Sequence, residues 1–118
     1  MDIRRGQIWW WNCPTHNREH IQAGVRPVVV VSNDVCNSMS SVLTVLPVTS
    51  SVSRAYPQQV PVVFDHSVSI VLGDQITSIP KSELNQYICT LHDYQMEQID
   101  KILKVQLGLI PLGHREEE

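Results

Sequence analysis

The sequence predicts a mainly β fold of the α+β class, a small and strongly bent antiparallel sheet or barrel closed by a C-terminal α-helix. Three observations predict it. Short segments rich in Val and Ile dominate the chain up to Leu91. Gly, Asn, Asp and Pro recur between these segments, where turns are expected. The apolar period then changes from extended to helical. Many short strands followed by one terminal helix are typical of such a sheet.

Six extended segments are expected before the helix. The second has no polar alternation, so we expect apolar cover on both of its faces. In the third, Pro47 predicts a bulge or a sheet edge, because proline cannot donate to a neighbouring strand. In the fifth, Gly73 and Asp74 predict a bend or tight turn. The segments are Gln7–Trp11, Arg26–Ser32, Ser41–Thr49, Gln58–Phe64, Ser69–Ile79 and Tyr87–Leu91.

The last element is predicted to be an amphipathic helix that begins at an Asp93 N-cap and runs to about Leu107. Gly108 and Pro111 then end it. A single apolar stripe lies along it, spaced by three, four and four residues. The stripe comprises Met96, Ile99, Leu103 and Leu107.

A chain of 118 residues predicts a single domain over 1–118, with a frayed acidic tail at about 113–118. No apolar run approaches the ~18 residues that would span a membrane. No apolar signal-peptide core follows Arg4 and Arg5, so we expect a cytoplasmic protein. Cys13, Cys36 and Cys89 are far apart and indicate free thiols. The five histidines share no ligand spacing with them, so we expect neither a metal nor another cofactor.

The net charge of −3 argues against a protein that wraps duplex DNA by electrostatic attraction. The N-terminal part differs from this average. Residues 1–26 contain four arginines and only two acidic residues, Asp2 and Glu19. This local excess allows one short single strand to bind in a groove. The long stretch Asn12–Val25, which comes before Arg26, is predicted to be a mobile lid over that groove.

Three consecutive tryptophans stand in the first predicted strand. Trp9 and Trp11 share one face and Trp10 takes the other, because side chains alternate along a strand. One face is expected to join the core. The other face is left with two readings, base stacking or subunit contact.

Four segments resemble, in order and spacing, the MazF/PemK family of toxins, and the resemblance covers roughly residues 4–110. The segments are Arg5-Gly6-Gln7-Ile8-Trp9, the run from Gly24 to Asn33 (GVRPVVVVSN), Leu46-Pro47-Val48-Thr49-Ser50, and Leu72-Gly73-Asp74-Gln75-Ile76 with Ser78-Ile79.

The resemblance implies an SH3-like barrel with a C-terminal helix, assembled as a homodimer and inhibited by a MazE-like antitoxin. It also implies metal-independent, sequence-selective cleavage of single-stranded RNA, leaving a 2′,3′-cyclic phosphate and a 5′-hydroxyl. Arg26 and Thr49 match the family's catalytic pair. Further RNA contacts are expected from four residues, namely Gln22, Ser50, Gln75 and His20.

One segment departs from the family pattern, which has a glutamate where this chain has Ile21. The departure bears on cut-site choice and on proton transfer. Arginine stays protonated at neutral pH and is a poor proton acceptor, so the general base is left open among His20, Glu19 and water. The alternative function is that of a CcdB-like toxin, which uses the same barrel to bind DNA gyrase and is not an enzyme.

Overall fold

The computed structural model describes residues 2–14, 24–50 and 59–111. In these ranges it contains seven strands, two α-helices and one 3-10 turn at Lys81–Glu83. No helix in the described part of the chain is long and apolar enough to cross a membrane. The strands are β1 (Gln7–Cys13), β2 (Gly24–Val30), β3 (Val42–Thr49), β4 (Gln59–Phe64), β5 (Ser67–Leu72), β6 (Thr77–Pro80) and β7 (Leu84–Thr90), and the helices are α1 (Asp34–Met39) and α2 (Asp93–Gln106).

The strands form one curled antiparallel sheet in the order β4-β5-β3-β2-β1-β7, and β6 also pairs with β3. This arrangement, with α2 at the C-terminal end, confirms the predicted mainly β fold class. Strand β3 changes partner along one side. Its first part, residues 42–45, pairs with β6, and Val48 and Thr49 pair with β5. Pro47 lies at the change of partner, where a residue without an N–H costs least.

Two apolar layers cover the two faces of the sheet. Alternate residues of β2 point into them: Val29 enters the inner layer and Val28 and Val30 enter the outer layer. Apolar cover on both faces of the second strand is therefore confirmed. The inner layer, which α2 covers, contains Ile8, Val29, Val31, Leu46, Val48, Val60, Val62, Val71, Leu91, Met96 and Ile99. The outer layer contains Ile3, Trp9, Trp11, Cys13, Val28, Val30, Leu43, Val45, Ile79 and Leu84.

The first two strands extend further than the sequence predicts. Asn12 pairs with Val25 and Cys13 with Gly24. Both ends of the predicted lid therefore belong to β-strands. Backbone pairing between β1 and β2 continues past the last predicted strand residues. Residues 15–23, the rest of the predicted lid, lie outside the described residues, as does the predicted tail at 113–118.

Two helical details also differ from the prediction. Helix α1 was not predicted, although the Asn33 side chain accepts a hydrogen bond from the Cys36 N–H at 2.9 Å, as an N-cap does. Helix α2 has its N-cap at His92 instead of Asp93. The side chain of Gln95 accepts from the His92 N–H at 3.0 Å, which fixes the start of the helix one residue earlier.

Candidate functional site

The curled sheet divides into two arms at one end. Pairing between β2 and β3 covers only Val28–Val30. Beyond it, residues 24–27 of β2 stay with β1, and this pair is the first arm. Residues 48–49 of β3 stay with β5, and with β4 they form the second arm. The two arms separate near Arg26, where the second predicted strand begins, and Thr49, where the third predicted strand ends.

A cleft of about 270 Å³ lies between the two arms. Residues of both arms line it, and part of its wall continues the inner apolar layer, against which Phe64 packs. Polar and apolar side chains therefore share its lining. The lining residues are Trp10, Val25, Arg26 and Pro27 from the first arm, and Val48, Thr49, Ser50, Phe64 and Ser69 from the second.

Arg26 and Thr49 face each other across this cleft. The register between β2 and β3 pairs Val28 with Pro47. Continued by two residues, the same register sets Arg26 opposite Thr49 on one face of the sheet. Both side chains are half-buried. The structure thus brings together the two residues predicted to form the catalytic pair.

Arg26 differs from the other described arginines in its partners. The Arg4 guanidinium contacts Asp2 at 3.2 Å, and Arg5 forms an ion pair with Asp100. No described side chain forms an ion pair with Arg26. Because no described carboxylate pairs with it, this half-buried guanidinium can offer its fixed set of donors to an external anion, and phosphate oxygens match that geometry.

The other predicted RNA contacts are not all at the cleft. Ser50 lines it and is exposed. Gln75 is also exposed but does not line it, and its N–H donates to the Leu72 carbonyl at 3.2 Å in the turn between β5 and β6. That turn runs beside the Pro47 region of β3, where neither β5 nor β6 pairs with it. His20 and Gln22 lie outside the described residues.

Six of the nine lining residues were not predicted as site residues, namely Trp10, Val25, Pro27, Val48, Phe64 and Ser69. Phe64 is the chain's only phenylalanine and ends β4. The next two residues, Asp65 and His66, have positive φ values of 53° and 63°. Such a pair is typical of the two-residue type I′ hairpin turn, which Asp and His tolerate better than most residues. Recognising this turn in the sequence would have placed Phe64 at the end of a strand. The turn is hard to recognise because it contains no glycine.

A polar cluster anchors the N-terminal segment and α1 on the far side of β2. The Arg5 N–H donates to Asp34 at 2.6 Å, and this hydrogen bond lowers the pKa of the Asp34 carboxyl despite the opposing effect of burial.

At Cys89, burial is the main cause that raises the pKa of the thiol, and the charge of Asp65 adds to it. Within the described ranges, no group of three or more His, Cys, Asp or Glu side chains could hold a metal ion.

The fold is shared with solved structures. A MazE–MazF structure from Deinococcus radiodurans aligns with a TM-score of 0.76 at 24% identity, over 93% of this chain and 99% of that chain. An endoribonuclease in complex with its cognate antitoxin, from mycobacterial species, aligns with a TM-score of 0.71 at 24% identity, over 91% and 94% of the two chains. Fold and cleft thus define a small curled-sheet protein that shares the fold of these structures and has a cleft between its two arms.

Sequence similarity identifies the family. Endoribonuclease EndoA of Bacillus subtilis (strain 168) is 32% identical over 117 residues, which is 93% of this chain and 98% of that protein. Residues 4–107 match the family described as PemK-like, MazF-like toxin of type II toxin-antitoxin system. The chain belongs to this toxin family, as the resemblance predicted.

Proposed function

We propose that this toxin is a metal-independent, sequence-selective endoribonuclease that cleaves single-stranded RNA in the cleft between the two arms. The observation that carries the proposal is the position of Arg26, half-buried, without an ion-pair partner among the described residues and opposite Thr49. The similarity to endoribonuclease EndoA supports the same activity. The family match does not favour the alternative of a CcdB-like gyrase binder.

The reaction is an attack by the RNA's own 2′-hydroxyl. The 2′-oxygen forms a bond to the adjacent phosphorus and gives its proton to a base. The P–O5′ bond breaks, and O5′ takes up a proton. The products are a 2′,3′-cyclic phosphate and a 5′-hydroxyl, so the enzyme has to align the attack, stabilise the added negative charge and move two protons.

Two of these tasks fall to the catalytic pair. The Arg26 guanidinium donates to the phosphoryl oxygens and offsets the charge that develops on them. The Thr49 hydroxyl donates to the same phosphate or holds the 2′-oxygen in line. Arg26 stays charged, so the proton acceptor is a different group, and His20, Glu19 and water are its candidates. Ser50 and Gln75, with Gln22, extend the contact to neighbouring nucleotides.

Partners follow from the same proposal. The two complexes among the similar structures, MazE–MazF and an endoribonuclease with its cognate antitoxin, support an antitoxin as the partner of this chain. We propose a MazE-like antitoxin that covers the cleft with an acidic or amphipathic segment, because Arg26 offers a positive charge there that no described side chain pairs with. The toxin acts as a homodimer in the cytoplasm, where messenger RNA is exposed.

The test is cleavage of one long single-stranded RNA in the presence of EDTA, with single-turnover rates for wild type and four variants. Arg26→Ala should lower the rate by about a hundredfold or more, because a charged donor to the transition state is lost. Arg26→Lys should recover part of the rate, since an ammonium keeps the charge but not the two-pronged geometry. Thr49→Ala should cost less than Arg26→Ala. Arg4→Ala is the matched control, because Arg4 is exposed and pairs with Asp2 away from the cleft.

Circular dichroism on each variant separates loss of fold from loss of chemistry. Discrete fragments with wild-type protein, cyclic-phosphate ends and a selective loss in Arg26→Ala would support the proposal. Cleavage by folded Arg26→Ala at a rate near that of wild type would contradict the catalytic assignment. Absence of any cleavage by wild type on several RNAs would contradict the ribonuclease itself.

A further inference from the structure

Trp10 and Phe64 lie on opposite arms of the cleft, and both line it beside the catalytic pair. Trp10 pairs with Pro27 in the β1–β2 ladder and belongs to the first arm. Phe64 pairs with Ser67 at the end of β4 and belongs to the second arm. Both rings are half-buried, so each is packed by the protein on one part and open on another.

The three tryptophans differ in what their indole N–H groups do. Trp9 donates to the Gln7 side chain at 2.9 Å, and Trp11 donates to Glu83 at 2.8 Å. Both of these rings are buried in the outer layer. Trp10 points to the other face and makes no side-chain hydrogen bond among the described residues. An aromatic ring with an accessible face and an uncommitted donor is suited to a ligand that is flat and polar at its edge.

The size and charge of the cleft limit the ligand. Its volume of about 270 Å³ is slightly below the range of about 300–1,000 Å³ found for sites of drug-sized molecules. Arg26 supplies one positive charge at the rim. One flat ring with a phosphate attached matches this combination of two aromatic rings and a single guanidinium.

We propose that Trp10 and Phe64 hold one unpaired nucleobase between the two arms, next to the phosphate that Arg26 and Thr49 contact. The proposal rests on the ribonuclease function and adds to it a base-binding subsite. It requires single-stranded RNA, because a base in a duplex is stacked and paired and cannot enter the cleft. Trp10 and Phe64 act in binding and selection of the substrate, and Arg26 and Thr49 act in its chemistry.

The backbone that carries each ring is held by strand pairing. Trp10 stands in the middle of β1, with Pro27 paired on one side and Gln86 of β7 on the other. Phe64 is fixed by the tight turn at Asp65 and His66. Rigid aromatic walls bind a flat ligand with little loss of side-chain entropy.

The experiment first maps one cleavage site on a long RNA and then uses a short RNA around it, with 2′-deoxyribose at the cut position so that it binds without reacting. A second RNA also lacks the base next to the cut phosphate, and one abasic RNA is made for each side of the cut. Binding is measured by fluorescence polarisation for wild type, Trp10→Ala, Phe64→Leu and Tyr94→Ala. Tyr94 is the control, since it is an exposed aromatic residue on α2 that does not line the cleft.

We expect wild type to bind one of the abasic RNAs about fivefold to a hundredfold more weakly than the intact RNA, the range typical of one stacked base. Trp10→Ala should lose a similar factor on intact RNA and little further on that abasic RNA. Phe64→Leu should behave likewise with a smaller loss. A residue that only supports the fold would weaken binding of both RNAs equally. Tyr94→Ala should match wild type on each RNA.

A second readout uses intrinsic tryptophan fluorescence. RNA should quench the emission of wild type, and Trp10→Phe should abolish most of that quenching because Trp9 and Trp11 are buried on the opposite face. The subsite is overturned if neither abasic RNA binds more weakly to wild type, or if Trp10→Phe is quenched as much as wild type. In either case retained cleavage would leave the ribonuclease intact. Failure of wild type to bind or cleave any RNA would overturn both proposals.

Discussion

At the scale of single residues, chemically identical side chains take different roles because of their neighbours. Arg5 donates to the Val31 carbonyl at 2.8 Å and forms an ion pair with Asp100, so it holds the N-terminal segment to α2. Arg26 makes no ion pair with a described residue and faces a cleft. The residue type alone does not distinguish Arg5, which holds two elements together, from Arg26, which we propose binds the phosphate, but their contacts do.

Asp34 provides a prediction about acid sensitivity. Its pKa is lowered in the folded protein, first by the Arg5 N–H and also by the Asn37 side chain and the charges of Arg4 and Arg5. A lowered folded pKa means that the ionised carboxylate stabilises the fold above the unfolded pKa of about 4, and that this contribution is lost as the pH falls through the folded pKa. Asp34→Asn should therefore be less stable than wild type at pH 7, and the two should converge toward pH 3.

The measurement is urea unfolding of both proteins from pH 7 to pH 3 at one protein concentration. Asp2→Asn is the matched control, because Asp2 and its partner Arg4 are both largely exposed and such pairs contribute little. A gap between wild type and Asp34→Asn that stays constant over the whole pH range would show that the charge of Asp34 is not what stabilises the fold.

At the scale of elements, α1 is held by a small buried polar network more than by apolar packing. Asn37 is 1% exposed, and its side-chain N–H group donates to the Ser32 carbonyl at 2.8 Å. Its side-chain oxygen accepts from the Ser32 hydroxyl at 2.5 Å. That hydroxyl in turn accepts from the Thr44 N–H at 3.0 Å, so the network connects α1 to β3. Val35 and Met39 on the same helix are exposed at 68% and 82%.

Asn37→Ala should lower the free energy of unfolding by about 1–3 kcal/mol, because it leaves the half-buried Ser32 carbonyl without its partner. Ser38→Ala is the matched control on the same helix. Ser38 is exposed and donates only to the Val35 carbonyl, so its loss should stay within about 0.5 kcal/mol. Chemical denaturation of the three proteins provides the comparison. Equal stability of Asn37→Ala and Ser38→Ala would contradict a structural role for this network.

At the scale of the whole molecule, the acidic net charge of −3 and an RNA ligand are compatible because the positive charge is local. The chain has nine basic and twelve acidic side chains, and four of its arginines lie within residues 1–26. Electrostatic attraction to RNA is therefore limited to a few phosphates. Stacking and shape have to supply most of the selectivity in such a site.

Salt dependence measures this directly. For a single strand, the logarithm of the binding constant falls with the logarithm of salt concentration by about 0.7 for each phosphate contacted. With at most four arginines available in residues 1–26, we expect a slope no steeper than about −3 for the non-cleavable RNA, and Arg26→Ala should make it shallower by about 0.7. Lys104→Ala, an exposed change on α2, should leave the slope unchanged. An unchanged slope in Arg26→Ala would show that Arg26 does not contact a phosphate.

The sequence by itself determined the fold class and the succession of strands before the terminal helix, but not α1. Hydrophobic period and turn residues depend on neighbours along the chain, so β2, β3 and the bend at Gly73 could be recognised locally. The family resemblance also selected Arg26 and Thr49 before any geometry was available. Local signals were less reliable at element ends. There, pairing extended β1 to Cys13, and the Gln95 side chain moved the start of α2 to His92.

Only the tertiary structure decided what surrounds the site. The parting of β2 and β3 depends on which strands pair beyond Val28, and pairing between distant segments leaves no local pattern in the sequence. For the same reason Phe64, Pro27 and Ser69 could not be assigned to the cleft. The sequence also left two possible roles for Trp10, base stacking or subunit contact. Charge compensation is likewise non-local. Asp100 lies 95 residues from Arg5, and only the fold shows that it pairs with Arg5 while no described side chain forms an ion pair with Arg26.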